Sequence, residues 1–175
     1  MSYIKKTEHV DLPAVMEIID EAKAYMQASG IDQWQRGYPS EETIKEDIKT
    51  GDGYLLVSDR CGIIGTFCLT FSHQPEYDYV EEGGFSVGTS AALHRVAVKN
   101  SEKGRGRAAK IVKFAAEECK KQGREYLRID THKDNLSMQR MLIKNGFSPV
   151  GFIYTECIRD DIHRRIAFEM KIGNK

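Results

Sequence analysis

The chain has 175 residues, a length that suits one domain, spanning residues 1–175, with a full hydrophobic core. Lysine plus arginine and aspartate plus glutamate number 26 each, so no net field argues for nucleic acid or an acidic membrane surface as partner. Hydrophobic content of 41% fits an ordinary globular chain, no apolar run reaches bilayer length, and the start, MSYIKKTEHVDL, lacks an apolar signal region, which points to the cytoplasm.

Residues 3–8 read as a short strand. Asp11 stands where an N-cap belongs and Pro13 falls in the first turn. Leu12, Val15, Ile19, Ala22 and Met26 then recur at helical spacing until Gly30. Residues 31–39, IDQWQRGYP, form a loop holding Trp34, the only tryptophan, and Tyr38. Ser40 caps a short second helix whose first turn carries Glu41 and Glu42, the sign that the helix dipole favours. Residues 53–60 and 63–72 read as two strands around a tight turn.

Residues 73–90 are too broken by glycine, proline and charge for a long regular element. A long loop with Tyr77, Tyr79, Glu81, Glu82 and Phe85 inside a compact domain reads as functional. Residues 91–99, AALHRVAVK, form a strand that leads into Lys103-Gly104-Arg105-Gly106-Arg107-Ala108, the start of an amphipathic helix bearing Ile111, Val112, Ala115 and Cys119. A helix N-terminus favours anions, yet this one is crowded with cations. Bare N–H groups, the dipole and three cations together predict a phosphate cradle. Residues 125–132 form a further strand, and residues 135–146 a helix with Met138, Met141 and Leu142 inward. Two closing strands follow at 147–156 and 164–171. The order implies an α/β (α+β) fold with a mixed sheet. Cys61, Cys68, Cys119 and Cys157 lack metal-ligand or redox spacing, and their apolar contexts predict buried thiols.

Two glycines alone are a weak signal. A dinucleotide fingerprint allows Ala109 at its third glycine position, but it belongs in a first strand–helix unit, and the G-K-[ST] of a nucleoside-triphosphate loop is absent. Taken with Asn135-Leu136-Ser137-Met138 and Lys144-Asn145-Gly146-Phe147 downstream, Ser101-Glu102-Lys103-Gly104-Arg105-Gly106 resembles the pyrophosphate loop of the GNAT N-acetyltransferases. The strand Leu93 to Val98 resembles that family's cofactor strand, and the likeness covers nearly the whole chain in element order. The QW…GYP and EYDY stretches resemble a bacterial subgroup.

The resemblance implies a GNAT-like, mostly antiparallel sheet of about seven strands with splayed central strands and about four helices. It implies acetyl-CoA as donor and an amine as acceptor, with no metal and with a homodimer as one assembly. The pyrophosphate would rest on the N–H groups of Lys103 through Ala108. The pantetheine would pair along Arg95, Val96, Ala97 and Val98, with Asn135 on its other side. Two departures stand out. Ser101 replaces the usual Gln or Arg, and Leu142 occupies the place of the family's tyrosine general acid.

An alkylamine titrates near 10.4, so at pH 7 only about one molecule in a few thousand is neutral, a cost of roughly 4–5 kcal/mol. A general base is therefore needed, along with a donor for the oxyanion, for which the N–H of Val96 or Ala97 is a candidate. His94 is the leading base, with Glu82 as a further base candidate and Tyr154 as a substitute acid. Trp34, Tyr38, Tyr77, Tyr79, Glu81, Asp130 and His132 are candidates for the acceptor site. Three functions compete: an N-acetyltransferase acting on a small amine or peptide, a non-catalytic acyl-CoA sensor, and a nucleotide-binding domain using the same cradle.

Overall fold

A computed structural model describes residues 1–173. Seven strands form one sheet with hydrogen-bonded neighbours in the order β1-β2-β3-β4-β5-β7-β6. They are β1 (Ser2–Lys6), β2 (Gly53–Ser58), β3 (Gly62–Thr70), β4 (Ser90–Val98), β5 (Tyr126–Thr131), β6 (Ser148–Tyr154) and β7 (Arg164–Lys171). Four helices accompany them: α1 (Leu12–Ala28), α2 (Glu41–Thr50), α3 (Arg107–Lys121) and α4 (Leu136–Lys144). The β4–β5 pair is parallel, with register Ser90↔Tyr126 to Ala92↔Arg128, while β1–β2, β2–β3, β5–β7 and β6–β7 are antiparallel. The mixed sheet and four helices match the expected architecture.

The chain clusters into two compact units, Met1–Leu69 with His94–Phe114, and Thr70–Leu93 with Ala115 onward. In the first, α1 buries Val15, Ile18 and Ile19 against Leu55, Val57 and Ala97. Each such side chain contributes about 1.5–3 kcal/mol on burial. All six residues of β2 are buried, which explains its continuous apolar run. Tyr54, Phe67 and Phe114 pack ring to ring at centroid distances of 5.2–6.0 Å. Ser40 caps α2 as expected, accepting from the Thr43 N–H at 3.3 Å, and Gly51 closes it in a left-handed conformation.

Asp11 departs from expectation. It precedes α1, but its carboxylate turns back to accept from the Glu8 N–H at 3.0 Å and from Lys5 Nζ at 2.9 Å. A nearby ammonium outcompetes the helix N–H groups for the carboxylate.

In the second unit, β5 alternates: Leu127 and Ile129 are buried, with Arg128 and Asp130 on the opposite face. A cluster of Tyr77, Ala92, Ile153 and Ala167 lies on the face of Arg128 and Asp130. Of the three inward residues expected in α4 only Leu142 is fully buried; Met138 and Met141 are half-buried. The 81–84 segment docks on β6. Glu81 and Phe152 exchange backbone hydrogen bonds at 2.8 and 2.9 Å, and the Gly84 N–H donates to the Val150 carbonyl at 2.9 Å. A Cβ at Gly83 would stand 2.0 Å from that carbonyl, so only glycine permits this approach. Cys68 and Cys119 are buried, as expected, but Cys61 is exposed because it sits at the tip of the β2–β3 hairpin. The Cys157 side chain lies outside what the structure describes.

Candidate functional site

β4 reaches the cradle through a 3-10 turn, Asn100–Glu102, rather than directly. Gly104 and Gly106 then adopt φ of 74° and 73°, and a Cβ at either would meet nothing within 4 Å. The loop is thus wound in the left-handed region with open space on its glycine faces, and α3 starts at Arg107. That geometry fits a group that needs close backbone approach.

The cations are arranged differently from the sequence reading. Glu102 is 5% exposed and gathers two of them: Arg107 Nε donates to Oε2 at 2.7 Å and Arg105 Nη1 to Oε1 at 3.2 Å. Lys103 lies over the Tyr25 ring, 3.4 Å from its centroid, and burial pulls its pKa down against the opposing pull of Glu21. The crowding of cations at this helix start is partly offset within the loop itself, where the glutamate two residues before Gly104 pairs with two of the three.

Arg95 interrupts β4 with φ of 52°. Its guanidinium closes on the Asp47 carboxylate at 2.5 and 2.8 Å and donates to the Tyr38 hydroxyl at 2.5 Å. The Cys68 thiol lies beside this cluster, and burial pushes its pKa up to about 12. Trp34 packs on the α1 core, with φ of 65°. His94 precedes Arg95. Burial, and the Arg95 charge with it, push its pKa down to about 3. At neutral pH the imidazole is uncharged and a weak proton acceptor, which takes it out of the leading place as general base.

In the second unit, three of the expected residues meet around a residue the sequence reading passed over, Arg164. Glu81 Oε2 accepts from the Tyr154 hydroxyl at 2.7 Å and from Arg164 Nε at 3.1 Å, and Arg164 Nη2 reaches Glu82 at 3.2 Å. The hydrogen bond from Tyr154, with Arg164 adding to it, holds the Glu81 carboxyl below its usual range; the same bond raises the Tyr154 phenol. Tyr77 is buried and donates to Asp130 at 2.9 Å. Tyr79 is half-exposed beneath the Arg159 guanidinium, 4.0 Å from its ring centroid.

His132 and Asn135 serve the turn before α4. The buried His132 ring accepts from the Asp134 N–H at 3.2 Å through Nδ1, and Asn135 Oδ1 caps α4 by accepting from the Met138 N–H at 3.2 Å. A further pair escaped the sequence reading: Arg128 Nε donates to the buried Glu169 at 2.9 Å, and Glu169 accepts from the Ser86 N–H at 3.1 Å. Among the described residues no group of His, Cys, Asp and Glu is gathered as a metal site, and no helix is long and apolar enough to cross a membrane.

Among proteins of curated function, none matches the chain. Solved structures do. A GNAT-family acetyltransferase from Streptococcus agalactiae is 28% identical with a TM-score of 0.87, covering 99% of this chain and 96% of that one. A GNAT-family acetyltransferase from Listeria monocytogenes is 16% identical with a TM-score of 0.74, over 97% and 94%. The ribosomal-protein-S18-alanine N-acetyltransferase of Escherichia coli is 16% identical with a TM-score of 0.67, over 100% and 96%. The two less identical structures speak for the fold. The profile of the GNAT acetyltransferase family matches residues 14–147, which takes in β4, the glycine cradle and α4 together, and so this chain belongs to that family.

Proposed function

We propose that the protein is an acetyl-CoA-dependent N-acetyltransferase that acts on a primary amine of a small molecule or peptide. The observation that carries this reading is the cradle: two left-handed glycines with open space at their Cβ positions, at the start of α3. The N–H groups from Lys103 to Ala108 would hold the pyrophosphate, and the backbone of Arg95 to Val98 the pantetheine arm, with Asn135 as a further contact. When bound, acetyl-CoA supplies a thioester as the acyl donor. The Val96 or Ala97 N–H is assigned to the developing oxyanion, next to the backbone turn at Arg95.

Proton removal from the acceptor is assigned to Glu82, with the Glu81–Tyr154 pair beside it and Tyr154 as the proton donor. Glu81 is ionised at neutral pH, and Tyr154 is protonated and bonded to it. His94 is assigned the part of an uncharged hydrogen-bonding group beside Arg95. Trp34, Tyr38, Tyr77, Tyr79, Asp130 and His132 remain the acceptor-side set. The cytoplasm is the compartment in this reading, and light scattering decides between a monomer and a homodimer.

One feature favours a second reading, a non-catalytic acyl-CoA sensor. Leu142, at the family's tyrosine position, is fully buried, so no phenol stands there to protonate the leaving thiolate. A thiol has an ordinary pKa of about 8.5 and leaves with little help, which keeps the enzyme reading ahead. Thiol release from acetyl-CoA over a panel of amines separates them. Amine-dependent release is expected; CoA binding with no release for any amine overturns the enzyme reading and leaves the sensor.

A further inference from the structure

The second unit contains a cavity of about 260 Å³ whose lining does not include Glu81, Tyr154 or Arg164. Its floor is apolar: Tyr77 and Ala92 are buried and pack together, and Phe71 joins them at the side. Its walls carry two guanidinium groups, Arg124 and Arg128.

The two arginines are held differently. Arg128 is matched by the buried Glu169, stacks 4.3 Å from the Phe85 ring centroid, and donates to the Ser86 carbonyl at 2.8 Å. Its charge is balanced and its position fixed. Among the described residues the Arg124 Nε is buried with no hydrogen-bond partner, and its Nη2 reaches the Phe71 carbonyl at 3.5 Å. A buried N–H with no acceptor is uncommon in folded proteins because burial strips its water without replacing it. At the rim, His73 and Asp78 are exposed and meet at 3.1 Å, which engages the one carboxylate that lines the cavity among the described residues. The cavity therefore combines an apolar floor, a charge-balanced arginine and a second arginine whose buried Nε lacks an acceptor.

We propose that this cavity binds a small organic anion: an apolar body seated on Tyr77 and Ala92, with a single carboxylate or phosphate held by Arg124 beside Arg128. A planar guanidinium matches either anion in a two-pronged geometry, and the apolar floor selects against a bare inorganic ion. The inference stands apart from acetyl transfer, because its readout needs neither donor nor acceptor amine.

The test uses the full chain with benzoate and phenyl phosphate as probes and benzyl alcohol as the neutral analogue. Binding is followed by the arginine Nε–H resonances in ¹⁵N NMR and by Tm against probe concentration. Expected is saturable binding of at least one anion that moves the Arg124 Nε–H resonance, with the alcohol at least about tenfold weaker. The two anions distinguish carboxylate from phosphate chemistry. Arg124→Gln is expected to weaken the anion about tenfold or more. Asp78→Asn, at an exposed position that tolerates change, is expected to tighten it by removing a like charge from the rim. The proposal is overturned if neither anion saturates, if benzyl alcohol binds as well, or if Asp78→Asn leaves anion affinity unchanged or lower.

Discussion

Arg95 stands in the left-handed region in the middle of a strand, and the Asp47 carboxylate closes on its guanidinium at 2.5 and 2.8 Å. Both side chains are 13% exposed, so the charges are largely removed from water. Such a pair is costly to break one-sidedly. Asp47→Ala is expected to destabilise the protein by about 3–5 kcal/mol in urea unfolding. A double-mutant cycle with Arg95→Ala should give a coupling well above the ~0.5 kcal/mol of an exposed pair. A coupling at that surface value would show that the bend in β4 holds without Asp47.

Glu102 gathers Arg105 and Arg107 at the mouth of the cradle. Glu102→Gln is expected to do two opposite things: lower Tm, because two guanidinium groups lose their charged acceptor, and tighten CoA severalfold, because those cations turn to phosphate. Calorimetric titration with CoA and a thermal melt measure both. Weaker CoA binding would mean that Glu102 organises the loop rather than competing with the ligand.

Gly106 has φ of 73° with open space at its Cβ position. Gly106→Asn costs only strain, on the order of 1 kcal/mol, since asparagine tolerates the left-handed region. Gly106→Asp is nearly isosteric and adds an anion. Its CoA affinity should fall at least about tenfold below that of the asparagine variant, with similar Tm. Equal affinities would place the pyrophosphate elsewhere.

His94 titrates at about 3 in the folded protein, against about 6.5 when unfolded. Between those values the unfolded chain binds a proton that the native one refuses. The His94 contribution is therefore complete above pH 6.5 and is lost as pH falls towards 3. Replacing it with glutamine should flatten the decline in stability over that window. In the wild-type protein the His94 ¹⁵N shifts should stay those of a neutral ring from pH 8 to pH 5. A midpoint near 6.5 would return His94 to the place of general base.

The Glu81–Tyr154 bond has limits at both ends of the pH scale. Glu81 titrates low because Tyr154 donates to its ionised form, so its contribution is complete above about pH 4.3 and lost as pH falls through the lower folded value. Tyr154 titrates high because its hydroxyl is bonded to Glu81, so its contribution is complete below about pH 10 and lost as pH rises through the raised value. Tyr154→Phe should move the Glu81 titration, followed by carboxyl ¹³C NMR, up towards the ordinary range. It should also lower kcat more than the KM for acetyl-CoA. An unmoved Glu81 midpoint would make Arg164 the group that sets it.

Elements with strong periodicity were legible from the chain: α1 from its apolar repeat, β2 from its unbroken apolar run, α2 from Ser40. The G-x-G turn and the Asn135-to-Phe147 stretch pointed to the family that the profile and the solved structures support. Pairings between distant residues were not legible, because charge pairs have no period. Asp47 looks like one more polar residue on a surface helix, and Glu102 looks like a solvated loop residue. The available signal was indirect: a lone arginine in the apolar run AALHRVAV, and another among the alternating residues of β5, mark positions where buried charge requires a partner. The three cations at the cradle were read without their counter-ion for the same reason.

The docking of residues 81–84 on β6 has a consequence beyond the placing of Glu81. β6 is the last strand of the sheet, and its outward N–H and C=O groups would otherwise form an open template for another chain. The bridge between Glu81 and Phe152 and the bond from Gly84 to Val150 occupy part of that row with the protein's own backbone. The segment that delivers the carboxylates therefore also guards a sheet edge against self-association. Substitutions at Gly83 that prise it away should be felt as aggregation on storage as well as in activity.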